Sequence, residues 1–178
     1  MLLLRVRELG RDFDARWRYF SLTQVNNKEE GWTVWGVGDD RARGRLAFKA
    51  AEAARRQEAF ERLHMPLLEA RHVRGQSLED PEVVRAVARD GGLDLERFDR
   101  DLADPSILEA LARDHQAAVS EHGAFGTPTF VFPDGGSAYV RIRPAPDGPE
   151  ALQLFDELTT MVAARPYLLE VKRPVKPT

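Results

Sequence analysis

The residues most able to do chemistry lie in one stretch, Gly123 to Phe132, reading GAFGTPTFVF. Its second half has the apolar, β-branched and aromatic texture of a strand. A proline at the second residue of such a strand removes a ladder donor. Two arrangements resolve this. In one, the Thr127–Pro128 bond is cis, which turns the chain and leaves the Thr127 backbone facing a ligand. In the other, the proline is trans on an edge strand. A missing residue type is equally informative. The 178 residues contain no cysteine, so they can form no disulfide, thiolate nucleophile, CxxC couple or sulfur-ligated metal.

Other candidates are less specific. His115 and His122 are seven residues apart and share a helix face, with Asp114 and Glu121 beside them. A metal would need a third ligand, and the helix dipole already accounts for a histidine near a helix C-terminus. His64 and His72 straddle Pro66 and read as surface or helix-end histidines. Ser21 and Ser120 lack the Gly-x-Ser-x-Gly elbow of a serine hydrolase. Trp17, Trp32 and Trp35 read as core or loop anchors rather than the floor of a groove. Arg41, Arg43 and Arg45 read as a solvated face. No catalytic residue, metal site or cofactor is expected within the chain.

The elements that must position these residues follow from periodicity. Residues 1–10 suit a short helix with Leu2, Leu3, Val6 and Leu9 on one side. An alternative makes 2–7 a strand paired with 15–21. Residues 14–22 alternate with period two and carry three aromatics, which predicts a strand. Residues 23–44 read as a long loop. An alanine-rich helix is expected over 45–63, with Pro66 starting or kinking the next, 66–73. Asp80-Pro81, Asp94 and Asp104-Pro105 are helix starts. The first of these helices runs to about Asp90, and the last runs through His122 to Gly123. Residues 127–132 and 138–143, joined by the turn Pro133–Gly136, predict an antiparallel hairpin. A final helix from Asp147 presents Leu152, Phe155, Leu158 and Val162. The hairpin's inner face, with Phe130, Phe132, Val140 and Ile142, is expected to pack on it. Pro166 ends this helix, and 166–178 is an extended basic tail.

Composition sets the outer bounds. There are 26 basic and 29 acidic residues, net charge −3, with 43% apolar and 31% charged residues. This is globular usage. A chain of this length buries roughly 70% of its unfolded surface, so a single domain over 1–178 is expected. The absence of a basic excess argues against a nucleic-acid binder. No run approaches the roughly 20 apolar residues of a membrane span. The opening Met-Leu-Leu-Leu-Arg is too short an apolar run for a signal peptide, so the expected location is cytoplasmic. The lopsided 22 Arg against 4 Lys, with 22 Ala, reads as a mark of a GC-rich genome.

A helix closed by glycine, then Gly-Thr-Pro-Thr and an apolar strand, a glycine turn, a second strand and a last helix resembles the C-terminal half of a thioredoxin fold. The helical block at about 45–104 resembles the insertion of the DsbA-like family, including FrnE-type dithiol oxidoreductases and 2-hydroxychromene-2-carboxylate isomerases. Arg16–Leu22 followed by Asn26 is similar to that family's second strand and following loop. The resemblance covers roughly 1–163. It implies an α/β thioredoxin-like fold in which Pro128 is the cis-proline and Thr127 pairs with the backbone of bound substrate. It implies thiol–disulfide oxidoreductase activity on a peptide or protein disulfide. Two alternatives go with it: a glutathione-dependent isomerase or transferase, and an inactive thioredoxin-like binding module. The chain departs from the family where a first strand leads into CxxC. Neither is present, so an N-terminally truncated, association-prone chain is expected, with a homodimer as one outcome of the open sheet edge.

Overall fold

The computed structural model describes residues 2–36, 43–133, 136–169 and 171. In chain order it has eight helices and two strands among the described residues. They are α1 (Leu2–Glu8), α2 (Leu22–Asn26), α3 (Arg45–Arg56), α4 (Phe60–His72), α5 (Pro81–Asp90), α6 (Leu95–Ala103), α7 (Ser106–Ser120), β1 (Thr129–Val131), β2 (Ser137–Tyr139) and α8 (Gly148–Ala164). Two compact units result: Trp17–Gly123, and Met1–Arg16 together with Ala124–Thr178.

The first unit is built around α3. Ala50, Ala51, Ala53 and Ala54 are all buried. Small side chains there let α4, α5, α6 and α7 each reach the helix. The surrounding positions carry the volume: Leu63, Leu67, Val84, Phe98, Ile107 and Leu111 are buried in one cluster. The aspartate starts act as expected. Asp80 and Asp94 accept hydrogen bonds from the Glu82 and Arg97 backbone N–H groups, and Asp104 accepts one from Ser106 N–H at 2.9 Å.

Four expectations in this unit need correction. Residues 14–22 are not a strand. Burial does alternate from Phe13 to Arg18, but three backbone groups of 17–21 bond to side chains, and none bonds to a neighbouring strand among the described residues. Arg55 donates to the Trp17 carbonyl at 2.9 Å, Tyr19 N–H to Asp114 at 3.2 Å, and Ser21 N–H to His115 Nδ1 at 3.3 Å. The loop at 23–44 contains a helix, α2, whose N-cap Ser21 accepts from Gln24 N–H at 3.1 Å.

The single helix over 45–63 is two helices. The chain breaks at Glu58, which adopts φ +56°. Glu58 N–H bonds to the Arg55 carbonyl and Ala59 N–H to the Ala54 carbonyl. This is a Schellman ending with glutamate where glycine is usual, so sequence carries no signal for it. Finally, Pro66 lies inside α4 rather than at its start. The carbonyl it leaves without a helical donor is that of Arg62. Gly91 approaches that oxygen so closely that a Cβ would stand 2.8 Å from it.

The second unit packs α1 against α8. Leu2, Val6 and Ala151 are buried there, with Phe13, Ile142, Leu152, Phe155 and Leu158 packed around them. Residues 2–8 are therefore helical, and the alternative of a strand over 2–7 is ruled out. β1 and β2 pair antiparallel with Thr129 opposite Tyr139 and Val131 opposite Ser137. They form the only sheet among the described residues. The second strand ends at Tyr139 rather than Arg143. One further ladder bond, Val140 N–H to the Pro128 carbonyl at 3.1 Å, extends the pairing. Of the expected inner-face residues, Ile142 joins the cluster on α8, whereas Phe130, Phe132 and Val140 lie outside it. The hairpin does reach α8 through β2, beside the more extensive contact that α8 makes with α1. Arg5 holds this end by donating to the Ala145 carbonyl and by pairing with Asp147 at 2.8 Å. Asp134 and Gly135 of the turn, Arg41, and most of the tail lie outside the described residues.

Candidate functional site

The Gly126–Thr129 segment leads from α7 into β1. Gly126 is buried beneath the Tyr139 ring, where a Cβ would lie 2.9 Å from the nearest ring carbon. A glycine is therefore required for the loop to pass under β2. Thr129 closes the turn, its hydroxyl donating to the Gly126 carbonyl at 2.7 Å. The Thr127–Pro128 peptide bond is cis. Both residues are exposed. The Pro128 carbonyl is spent on Val140 N–H, but neither the N–H nor the carbonyl of Thr127 has a partner among the described residues. Phe125 is 66% exposed and its ring lies 5.2 Å from that of Tyr139. The loop thus offers one free backbone donor and one free acceptor beside an apolar aromatic pair. Such an arrangement can pair with an extended chain.

Most of the remaining candidates make local packing or hydrogen-bond contacts, and two histidines are simply exposed. His115 is buried, accepts the Ser21 N–H at Nδ1, and lies 5.0 Å from the Phe20 ring and 5.7 Å from the Trp35 ring. Burial lowers its pKa. His122 is exposed beyond the end of α7. The helix face they share brings no further ligand to them: no group of three His, Asp or Glu able to hold a metal exists among the described residues. Asp114 instead pairs with Arg18 at 2.9 Å. His64 stacks on Phe60 and tilts against Trp17, and burial is the main cause that lowers its pKa. His72 is exposed. The Ser120 hydroxyl donates to the Gln116 carbonyl. Trp17 donates to Glu61 at 3.1 Å. Tyr19 is buried beside Glu52, and burial, reinforced by nearby acidic charge, holds its hydroxyl far above the usual phenol range.

Sequence reading missed Tyr139, Phe125 and the donor role of Arg55. Each depends on what the folded chain brings together, although Phe125 lies within the Gly123–Phe132 stretch itself.

A mostly helical chain with one small hairpin, entered through Gly-Thr-Pro-Thr, is the arrangement that comparison with known families now places. The DSBA-like thioredoxin domain matches residues 39–154, and the chain belongs to that family, with its α/β thioredoxin-like fold. Among individual relatives, uncharacterized protein Rv2286c of Mycobacterium tuberculosis is 31% identical over 167 residues, 90% of this chain and 69% of that protein. The Na(+)/H(+) antiporter NhaA of Herminiimonas arsenicoxydans is 39% identical over 87 residues, 49% of this chain and 13% of the antiporter. ClpXP adapter protein SpxH of Shouchella clausii is 31% identical over 122 residues, 67% of this chain and 40% of the adapter. Among the described residues no helix is long and apolar enough to cross a membrane.

Proposed function

We propose that this chain binds an extended peptide segment at Thr127–Pro128, as the substrate-holding part of a DsbA-type thiol–disulfide system. The observation that carries this reading is the exposed Thr127, whose backbone N–H and carbonyl are both unpaired among the described residues and both open to an added strand. Residues 1–178 then act as one domain. In thiol–disulfide exchange a thiolate attacks one sulfur of a disulfide, a mixed disulfide forms, and the other sulfur leaves as thiolate. These residues hold no thiol, so their part is to bind and orient, and the attacking thiolate belongs to another molecule or segment.

The test is amide-resolved NMR of the full chain with an extended disulfide-containing peptide, and separately with oxidised glutathione. Saturable shifts centred on Thr127, Thr129 and Tyr139 are expected with the peptide. Shifts with glutathione alone would favour the isomerase or transferase alternative. Shifts absent from this segment with both ligands would reject the site.

A second reading has its own support. The lack of any cysteine, together with similarity to a protein named as a ClpXP adapter, favours a stand-alone protein-binding module. The two readings separate on the ligand: a module of that kind binds a reduced or cysteine-free version of the same peptide equally well.

A further inference from the structure

We propose that the helical unit carries a small-molecule site for an organic anion with a planar apolar body, in the cavity between α7 and the segment 24–35. The cavity has a volume of about 420 Å³, within the range of roughly 300–1,000 Å³ typical of small-ligand sites. None of its residues belongs to the Thr127 segment, so it stands independently of the peptide-binding reading.

The sign of the ligand follows from the polar lining. Arg113 lines the cavity and makes no ion pair or hydrogen bond among the described residues. Trp35 contributes an indole N–H with no partner among them. Gln24 has its side-chain oxygen occupied by Val34 N–H at 2.7 Å, which leaves its NH₂ group as the free end. His115 accepts at Nδ1 from Ser21, so the neutral ring carries its proton on Nε2 and is a donor there. Among the described residues no carboxylate lines the cavity. The acid next in sequence, Asp114, is committed to Arg18 and to the Tyr19 N–H. Beside the neutral Thr33 and Gln116, donors unpaired among the described residues suit a carboxylate, and a guanidinium binds carboxylate in two-pronged geometry.

The body of the ligand follows from the apolar lining. The Trp35 ring, the Ala112 methyl and the Val119 side chain supply it. An indole beside aliphatic groups favours a flat, aromatic partner.

The test uses 2-naphthoate as probe and 2-naphthalenemethanol as its uncharged counterpart, titrated into the ¹⁵N-labelled full chain. Naphthoate should shift the Trp35 indole N–H and the Ser21 amide saturably. The alcohol should bind about tenfold more weakly or worse, since it lacks the charge-assisted contact. Arg113→Gln, at an exposed position that leaves the core intact, should lose about tenfold in naphthoate affinity while leaving the alcohol unchanged. An unchanged thermal melt of the variant separates lost binding from lost folding. Absence of saturable shifts at Trp35 and Ser21, or equal naphthoate affinity in Arg113→Gln and the parent chain, would overturn the proposal.

Discussion

His115 shows how one side chain can be misassigned by type and correctly placed by environment. A histidine two helical turns from another invites a metal reading, yet its Nδ1 is spent on a backbone amide and its ring lies beside two aromatic rings. Its pKa is lowered from 6.5 by burial, so between the folded and unfolded values the unfolded chain binds more protons. Stability therefore rises with pH across that window and falls as pH drops below about 6.5. Urea melts at pH 7.5 and 5.5 should show this loss, and His115→Phe should reduce the difference between the two; an unchanged difference would contradict the assignment.

At the same scale, Gly126 is legible as a glycine but not as a requirement. The Tyr139 ring over it comes from the other strand. Gly126→Ala should cost about 1–3 kcal/mol by overpacking. Adding Tyr139→Ser should recover most of that cost, and a strictly additive double variant would show the ring to be irrelevant.

At the scale of elements, the aspartate-led helix starts are readable because their signal is local: a side-chain oxygen caps a donor two or three residues on. The hairpin and last helix are readable from other local signals, a glycine-bearing turn between two β-type runs and an apolar stripe at helical spacing. The failure at 14–22 is non-local. The alternation at 14–22 predicts an extended chain correctly, but whether an extended chain becomes a strand depends on what supplies its hydrogen bonds, and Arg55, Asp114 and His115 are far away in sequence. The break at Glu58 hides because a glutamate occupies a glycine's conformation.

Packing of α8 is half legible. Its apolar stripe is plain in the sequence, but its main partner is α1. Phe155 is only partly buried, with the Phe13 ring 5.3 Å away. Phe155→Ala should therefore cost about 2 kcal/mol, below the roughly 3–5 kcal/mol expected for Phe98→Ala in the fully buried core of the helical unit. Denaturant melts of the two variants test the order, and a larger loss at Phe155 would reverse it.

For the whole molecule, family membership is legible from element order and from Gly-Thr-Pro-Thr. Thiol–disulfide exchange is not, because it needs a sulfur nucleophile and this chain has none. Purified chain should leave the rate of insulin reduction by dithiothreitol at the level of buffer alone. A reproducible acceleration that survives removal of contaminating oxidoreductases would mean that some other group does the exchange.

The extended run at 17–21 has a further consequence, for mutational robustness. A strand's ladder is written in the backbone and survives almost any single side-chain change. Here the same anchoring is written in three side chains, so it can be erased one letter at a time. Asp114→Ala alone would release the Tyr19 amide and the Arg18 guanidinium together, and His115→Ala would release the Ser21 amide. Drift at these positions is thus far more costly than the loss of one side chain from a paired strand, and a descendant that lost them would have to hold the segment by some other means.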